Sequence, residues 1–157
     1  MRYFAALMCE LFTNLYNAYF TLGGADKYII GRNLRMVSQS ENAYLLHLDT
    51  REVTYLNWFY GNPTCGVISD DEKWVVVAGD FEITVWDEGV VTTIDTNPVF
   101  DIRQKDAFTV ELLVNIPYLD AAVWELNVAT MELRETAHYT TFFNKEYLSK
   151  CTILSGS

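Results

Sequence analysis

Three hairpin-like segments recur along the middle of this chain, and this repeat constrains the fold more than any other feature. Each segment pairs two short runs rich in Val, Ile, Thr, Tyr and Trp, a composition typical of strands. The residues that enter the three turns are Asp49, Asp87 and Asn127, which stand 38 and 40 positions apart. Asp and Asn suit this place because their side chains hydrogen-bond to the backbone two residues further on.

Another pair of strand-like runs precedes each hairpin, with a polar turn between its members, as at residues 69–73. The pattern therefore predicts about three consecutive units of four short antiparallel strands over residues 27–136. Generic antiparallel hairpins whose spacing agrees by chance are the alternative interpretation.

Two motifs of the second unit carry a family resemblance. Its polar turn, Ser-Asp-Asp-Glu-Lys at 69–73, lies where WD-repeat β-propeller blades carry a Ser-Pro-Asp-Gly-Lys-type turn, and Trp86-Asp87 lies at their Trp-Asp dipeptide. The stretch from Gly66 to Ile94 therefore resembles one such blade. The chain departs from the family in lacking a Gly-His dipeptide.

The resemblance implies a propeller-like meander, although three units are too few to close a ring of about four to eight blades. The third unit has Trp124-Glu125 in place of Trp-Asp. Because Trp86 and Trp124 both precede an Asp- or Asn-type turn, we expect them at equivalent buried positions on equivalent strands.

The flanks differ from the repeat. Residues 1–22 predict a helix packed on the sheet, since their polar residues fall in one stripe of a helical wheel. Residues 137–157 predict a C-terminal strand and tail. The fold class expected is mainly β with an N-terminal helix (α+β), in a single domain over 1–157.

Half of the 157 residues are hydrophobic, so the chain can build a core without disulfides or a metal. Its three cysteines are widely spaced and form no CxxC pair, which disfavours a zinc or redox site. Unpaired thiols suit a reducing compartment. The apolar N-terminal segment lacks the features of a signal peptide or a membrane span, so we expect a cytoplasmic protein.

The formal net charge is −10. Such a charge repels phosphate backbones and anionic lipid surfaces, which disfavours direct nucleic-acid and membrane binding. It would attract a basic protein partner and raise the rate of encounter. Solubility alone is the competing explanation of the charge.

No recognisable catalytic constellation is present, so we expect neither an enzyme nor a cofactor or metal site. The chain has no nucleophile elbow, HExxH motif or phosphate-binding glycine loop. A Cys65–His138 pair has no local support. Carboxylate pairs for a hydrolase are set in space rather than in sequence, and the weak candidates for one are Asp80, Glu82, Glu111 and Glu125.

Acidic residues concentrate at predicted turns, and aromatic residues cluster ahead of Gly61. The predicted partner-binding residues are Asp70, Asp71, Glu72, Asp80, Asp87, Glu88, Trp58 and Tyr60. In size, charge and lack of catalytic motifs the chain is similar to small acidic bacterial immunity proteins. We therefore predict a non-catalytic inhibitor that occludes the active site of a basic toxin enzyme, for example a nuclease. The alternatives are a self-associating β scaffold, which would form a homo-oligomer, and a hydrolase with an unrecognised carboxylate pair.

Overall fold

The computed structural model describes residues 27–115, 121–138 and 154–155. They form three antiparallel sheets in chain order, which we call blades A, B and C, and the sheets do not join into one closed sheet. Each blade is built from four consecutive strands, and a short strand near the end of the chain adds a fifth to blade A. Blade A contains β1 (Lys27–Ile30), β2 (Leu34–Gln39), β3 (Asn42–His47) and β4 (Val53–Trp58). Blade B contains β5 (Cys65–Ile68), β6 (Trp74–Ala78), β7 (Glu82–Asp87) and β8 (Val90–Asp95). Blade C contains β9 (Val99–Gln104), β10 (Thr109–Val114), β11 (Ala122–Asn127) and β12 (Glu132–His138).

Within each blade every strand pairs with the next strand along the chain. The first strands lie side by side, since β5 packs against β9 and β1 approaches β5. The fourth strands β8 and β12 carry mostly exposed or half-exposed residues. The predicted three-unit, propeller-like β-meander is therefore confirmed.

The repeat is more regular than its sequence suggested. The third strands of the blades end at His47, Asp87 and Asn127, each paired with the first residue of the second strand. These residues are 40 positions apart in both steps. The prediction had placed Asp49 at this position, two residues too late.

Two apolar cores lie between the blades. The core between blades A and B includes Met36, Leu45, Phe59, Val75 and Trp86. The core between blades B and C is larger and includes Trp74, Val76, Val85, Leu112 and Leu126. Blade B is thus covered on both faces, which explains why the whole of β6, Trp-Val-Val-Val-Ala, is buried without the alternation of a half-exposed strand.

The two tryptophans of the repeat occupy equivalent strands and faces, but not equivalent registers. Trp86 is 9% exposed and lies in the core facing blade A, and Trp124 packs half-buried against the core facing blade B. Trp86 directly precedes Asp87, whereas Trp124 stands three residues before Asn127. The register equivalent of Trp86 is Leu126, so the shared-register part of the prediction is wrong.

The predicted helix of residues 1–22 lies outside the described residues, as does most of the 137–157 tail. Near the end of the chain, a short strand β13 (Leu154–Ser155) pairs antiparallel with β1. Within the described ranges, the chain forms no helix of the length and apolar character needed to cross a membrane.

Candidate functional sites

The predicted partner-binding residues fall at opposite ends of blade B. The β5–β6 turn and the β7–β8 turn lie at one end because Trp74, which starts β6, pairs with Asp87, which ends β7. The acidic residues of this end, which we call the acidic end, are Asp70, Asp71, Glu72, Asp87 and Glu88. Asp80 lies in the β6–β7 turn at the other end, beside Trp58 and Tyr60. The structure therefore divides the predicted site into two surfaces.

At the acidic end, Asp70, Asp71 and Glu88 are exposed and Asp87 is half-exposed. The Asp71 carboxylate accepts hydrogen bonds from the Lys73 backbone N–H (3.2 Å) and the Ser69 hydroxyl (2.9 Å). These bonds hold the pKa of Asp71 below its usual range. Asp71 is therefore ionised over a wider pH range than an ordinary aspartate, and it also shapes its own turn.

A cavity of about 220 Å³ opens at the acidic end between blades B and C. Asp71, Asp87 and Glu88 line it together with Lys73 and the exposed ring of Phe108. It is smaller than the roughly 300 Å³ at which small-molecule pockets begin. Its mixed acidic and aromatic lining suits one protruding side chain of a partner.

Glu72 has a structural role, because it links blade B to blade A. Its carboxylate accepts hydrogen bonds from the backbone N–H groups of Asn33 (3.0 Å) and Leu34 (3.3 Å), in the β1–β2 turn of blade A. Two further contacts hold the same blade B turn, because Arg32 donates to the Asp70 carbonyl and the Asp70 N–H donates to Gln104 of blade C. Within the 70–72 segment, the Glu72 side chain is therefore bound to blade A rather than freely solvated.

The second surface, which we call the aromatic patch, lies between blades A and B. Its rings are Trp58, Tyr60 and Phe81, which are 48%, 66% and 54% exposed. The ring centroids of Trp58 and Tyr60 are 6.3 Å apart, and those of Tyr60 and Phe81 are 5.9 Å apart. Asp80 and Glu82 flank Phe81 at the rim. Sequence reasoning missed Phe81 and Glu82 as members of this surface, although an aromatic residue in a tight hairpin turn was an available signal.

Blade C carries a row of charges across its four strands, on the face turned away from blade B. The cross-strand register places Arg103, Glu111, Glu125 and Arg134 side by side. Arg103 pairs with Glu111, and both Arg134 (3.1 Å) and Lys105 pair with Glu125. The two glutamates are 8% and 7% exposed. Like charges opposite each other would destabilise the sheet, but the three cations compensate them. We call this set the charged row.

The charged row brings together two of the four carboxylates considered for a hydrolase. The hydrogen bond from Lys105, and then that from Arg134, hold the pKa of Glu125 below its usual range. A glycosidase acid needs the opposite shift, because it must stay protonated near neutral pH. The arrangement therefore suits an ion-pair network better than acid–base chemistry.

The cysteine–histidine pair is not assembled. Cys65 is buried on β5, the first strand of blade B, whereas His138 ends β12, the outermost strand of blade C, so the two are not brought together. The described part of the chain contains no cluster of three metal-ligating side chains.

No family model matches the chain, and comparison with curated proteins finds no relative. Among solved structures, it is similar to the β-propeller domain of Cps50 (Swd1) from Myceliophteria thermophila, with a TM-score of 0.55 and 11% identity over 73% of this chain. It is also similar to hydrazine synthase from Kuenenia stuttgartiensis, with a TM-score of 0.51 and 18% identity over 67% of the chain. An auxiliary nutrient binding protein from Bacteroides thetaiotaomicron gives a TM-score of 0.51 at 9% identity over 74%.

These alignments cover 39%, 34% and 31% of the three matched chains, so this chain spans roughly a third of their lengths. At such low identity the likeness concerns the fold alone. The similarity to immunity proteins gains no support from these matches. The comparisons together with the three blades show that the chain has the blade architecture of a β-propeller.

Proposed function

We propose that this chain is a non-catalytic binding module whose partner is a basic protein. The observation that carries the proposal is the distribution of charge. The ion pairs formed between described residues all lie in blade C. Blades A and B therefore present the carboxylates of Asp70, Asp87 and Glu88 to solvent without an ion pair to another described residue, although Arg32 and Lys73 lie near them.

Local hydrogen bonds extend this charge to lower pH at the acidic end. The pKa of Asp49 is lowered first by the Asn33 side chain, and that of Asp106 first by the Phe108 N–H. Both aspartates lie in turns at the same end of their blades as Asp71. Clustered carboxylates of one sign speed the encounter with a cationic surface, and the effect decays over about 8 Å at physiological salt.

Inhibition of a basic enzyme is the narrower form of this proposal. Carboxylates projecting from adjacent turns would take the places of substrate phosphates and occlude the active site. This form rests on charge and size, and it stays a prediction, as does the cytoplasmic location. The hydrolase alternative is disfavoured by the lowered pKa of Glu125.

The test removes two charges at the acidic end and compares them with two removed elsewhere. The partner is first isolated by co-purification at low salt. In the variant Asp87→Asn/Glu88→Asn, asparagine at 88 tolerates the left-handed conformation that Glu88 adopts (φ 42°). The matched control is Glu132→Gln/Glu135→Gln, on the exposed strand β12 of blade C.

We expect the acidic-end variant to associate more slowly and with a flatter salt dependence, because rim charges mainly set the on-rate. The control should retain most of the wild-type rate. Surface-plasmon measurements over a salt series give both quantities. If both variants slow association equally, the rate depends on the net charge of the protein and not on the acidic end. If both variants associate at the wild-type rate, the proposal is contradicted.

A self-associating scaffold is the second candidate function. It is favoured by the presence of three blades in a fold that elsewhere uses about four to eight. In that case, copies of the chain would complete the architecture together. The charged row of blade C bears directly on this possibility, because it lies on the face that a further blade would contact.

A further inference from the structure

The residue between Trp58 and Tyr60 keeps the rings of the aromatic patch exposed. Phe59 is 1% exposed and lies in the core between blades A and B, and its N–H donates to the Glu41 carbonyl at 2.6 Å. Its neighbours Trp58 and Tyr60 therefore point outward on either side of a fixed anchor. The next two residues, Gly61 and Asn62, both have positive φ (77° and 75°), which turns the chain away and leaves the Tyr60 ring in solvent.

Two carboxylates complete the patch without a cation of their own. Asp80 and Glu82 flank Phe81, and neither forms an ion pair with another described residue. One oxygen of Glu82 accepts a hydrogen bond from the Asn57 amide at 2.8 Å, which fixes the orientation of the carboxylate. The patch thus combines ring faces with negative charge, which are the two features that attract an organic cation.

The size of the patch limits what it can hold. The cavity between the rings and the carboxylates measures about 70 Å³, roughly the volume that two waters occupy in the liquid. A cofactor would need several times that space. One side-chain head group fits the volume.

We propose that the aromatic patch binds the guanidinium group of an arginine side chain on the basic partner. A guanidinium is planar, so it stacks on an aromatic face, and its fork of N–H donors matches a carboxylate bidentately. The Trp58, Tyr60 and Phe81 rings supply the faces, and Asp80 and Glu82 supply the acceptors. An ammonium group lacks the planar fork, so lysine would use the patch less well.

This inference rests on the proposed function and names the group recognised at a surface remote from the acidic end. Its test uses a small probe in place of the partner. N-acetyl-argininamide is titrated into the protein, and the indole N–H signal of Trp58 is followed by NMR. N-acetyl-citrullinamide has nearly the same shape without the charge, and N-acetyl-lysinamide has the charge without the planar fork.

We expect the arginine probe to give a saturable shift of the Trp58 signal, with the lysine probe weaker and the citrulline probe without effect. Phe81→Leu keeps an apolar side chain but removes a ring face, and should weaken arginine binding about three- to thirtyfold. Asp80→Asn should weaken binding and reduce its salt dependence. Phe100→Leu is the matched control, because Phe100 is an equally exposed ring (64%) on β9 of blade C.

Four results would overturn the assignment. If the citrulline probe binds as tightly as the arginine probe, the patch recognises apolar surface and not charge. If the lysine probe binds as tightly, the planar guanidinium is not what the patch recognises. If Phe81→Leu leaves the affinity unchanged, the probe binds at another surface. If Phe81→Leu loses the native amide spectrum, Tyr60→Leu at the more exposed ring takes its place. Failure of the probe together with intact salt-dependent association of the partner would reject this inference and leave the proposed function standing.

Discussion

Glu72 has a different role in the structure from the one that its place in the sequence indicates. In the sequence it is the third acid of a polar hairpin turn, a setting typical of solvated residues. In the structure its carboxylate satisfies two backbone donors of blade A, 38 and 39 residues away along the chain. The glycine opposite follows from this contact, because a Cβ on Gly31 would overlap the Glu72 carboxylate and come within 2.9 Å of the Leu34 carbonyl.

Replacing Glu72 should therefore destabilise the fold. Glu72→Ala leaves the Asn33 and Leu34 N–H groups without their acceptor, and such a loss costs about 1–3 kcal/mol of unfolding free energy. Asp70→Ser, two residues away on an exposed side chain, should change it by no more than about 0.5 kcal/mol. Urea denaturation of both variants provides the comparison. Equal and small effects would show that the inter-blade contact contributes nothing.

The type of each turn was predictable from its residues, but its long-range partner was not. Asp and Asn side chains hydrogen-bond to backbone nearby, as Asn127 does to the N–H groups of Ala129 and Thr130. A contact such as that of Glu72 depends on which blades become neighbours, and no local pattern carries that information. For the same reason Phe81 could not be grouped with Trp58 in advance.

At the scale of secondary-structure elements, the three blades share the same strand register but differ in the lengths of their turns. His47, Asp87 and Asn127 end the third strands at intervals of 40 residues. The loops that follow, between the third and fourth strands, contain five, two and four residues. An alignment of the repeats on their turn residues is therefore shifted wherever a loop is longer. In blade A this shift made Asp49, and not His47, the apparent equivalent of Asp87 and Asn127. Strand existence is robust to such slips because it depends on composition and alternation.

The charged row differs from its counterparts in the other blades at all four positions. In blade A the same row reads Ile29, Met36, Leu45 and Thr54. In blade B it reads Val67, Val76, Val85 and Thr92. These apolar rows lie in the cores that the next blade covers. Blade C has Arg103, Glu111, Glu125 and Arg134 instead, so its charges stand where an apolar contact with a further blade would form.

The ion pairs of this row should make blade C sensitive to acid. The folded-state pKa of Glu125 is lowered, first by Lys105, so ionised Glu125 contributes stability above its unfolded pKa of about 4.3. That contribution is lost as the pH falls through the lower, folded-state pKa. We expect the gap in unfolding free energy between wild type and Glu125→Gln to shrink steadily below about pH 4.3.

Urea denaturation at pH 7, 5, 4 and 3 measures this gap. Glu132→Gln, which neutralises an exposed carboxylate of the same blade, should give a nearly constant difference from wild type over the series. A gap for Glu125→Gln that does not change with pH would mean that its ion pairs add no stability to the folded state.

For the whole molecule, the two outer faces of the blade stack differ in chemistry. On the face of blade A turned away from blade B, Val37 and Leu46 have 0% exposure and lie beside Arg35, so that face is largely apolar and buried. On the face of blade C turned away from blade B, Leu113 and Val123 are also buried (4% and 1% exposed), but this face carries in addition the charged row, which the exposed ends of Lys105 and Arg134 reach. Repeat stacks end in units with a polar outer face, because an apolar one would recruit further copies. Blade C has the character of such an end.

Replacing the charged row with the row of blade B tests this interpretation and the scaffold alternative together. The variant Arg103→Val/Glu111→Val/Glu125→Val/Arg134→Thr should fold, because apolar groups of suitable volume can replace a buried ion-pair network at little cost. It should also self-associate, because it removes the partly exposed cations Arg103 and Arg134 and leaves uncharged side chains at the edge of this face. A second variant with glutamine at all four positions keeps the face polar and should retain the wild-type mass in light scattering after size exclusion. If the row is a terminal cap, only the apolar variant gains mass with concentration. If wild type and both variants form the same oligomer, the row is not a cap, and self-association runs through another surface of the blades.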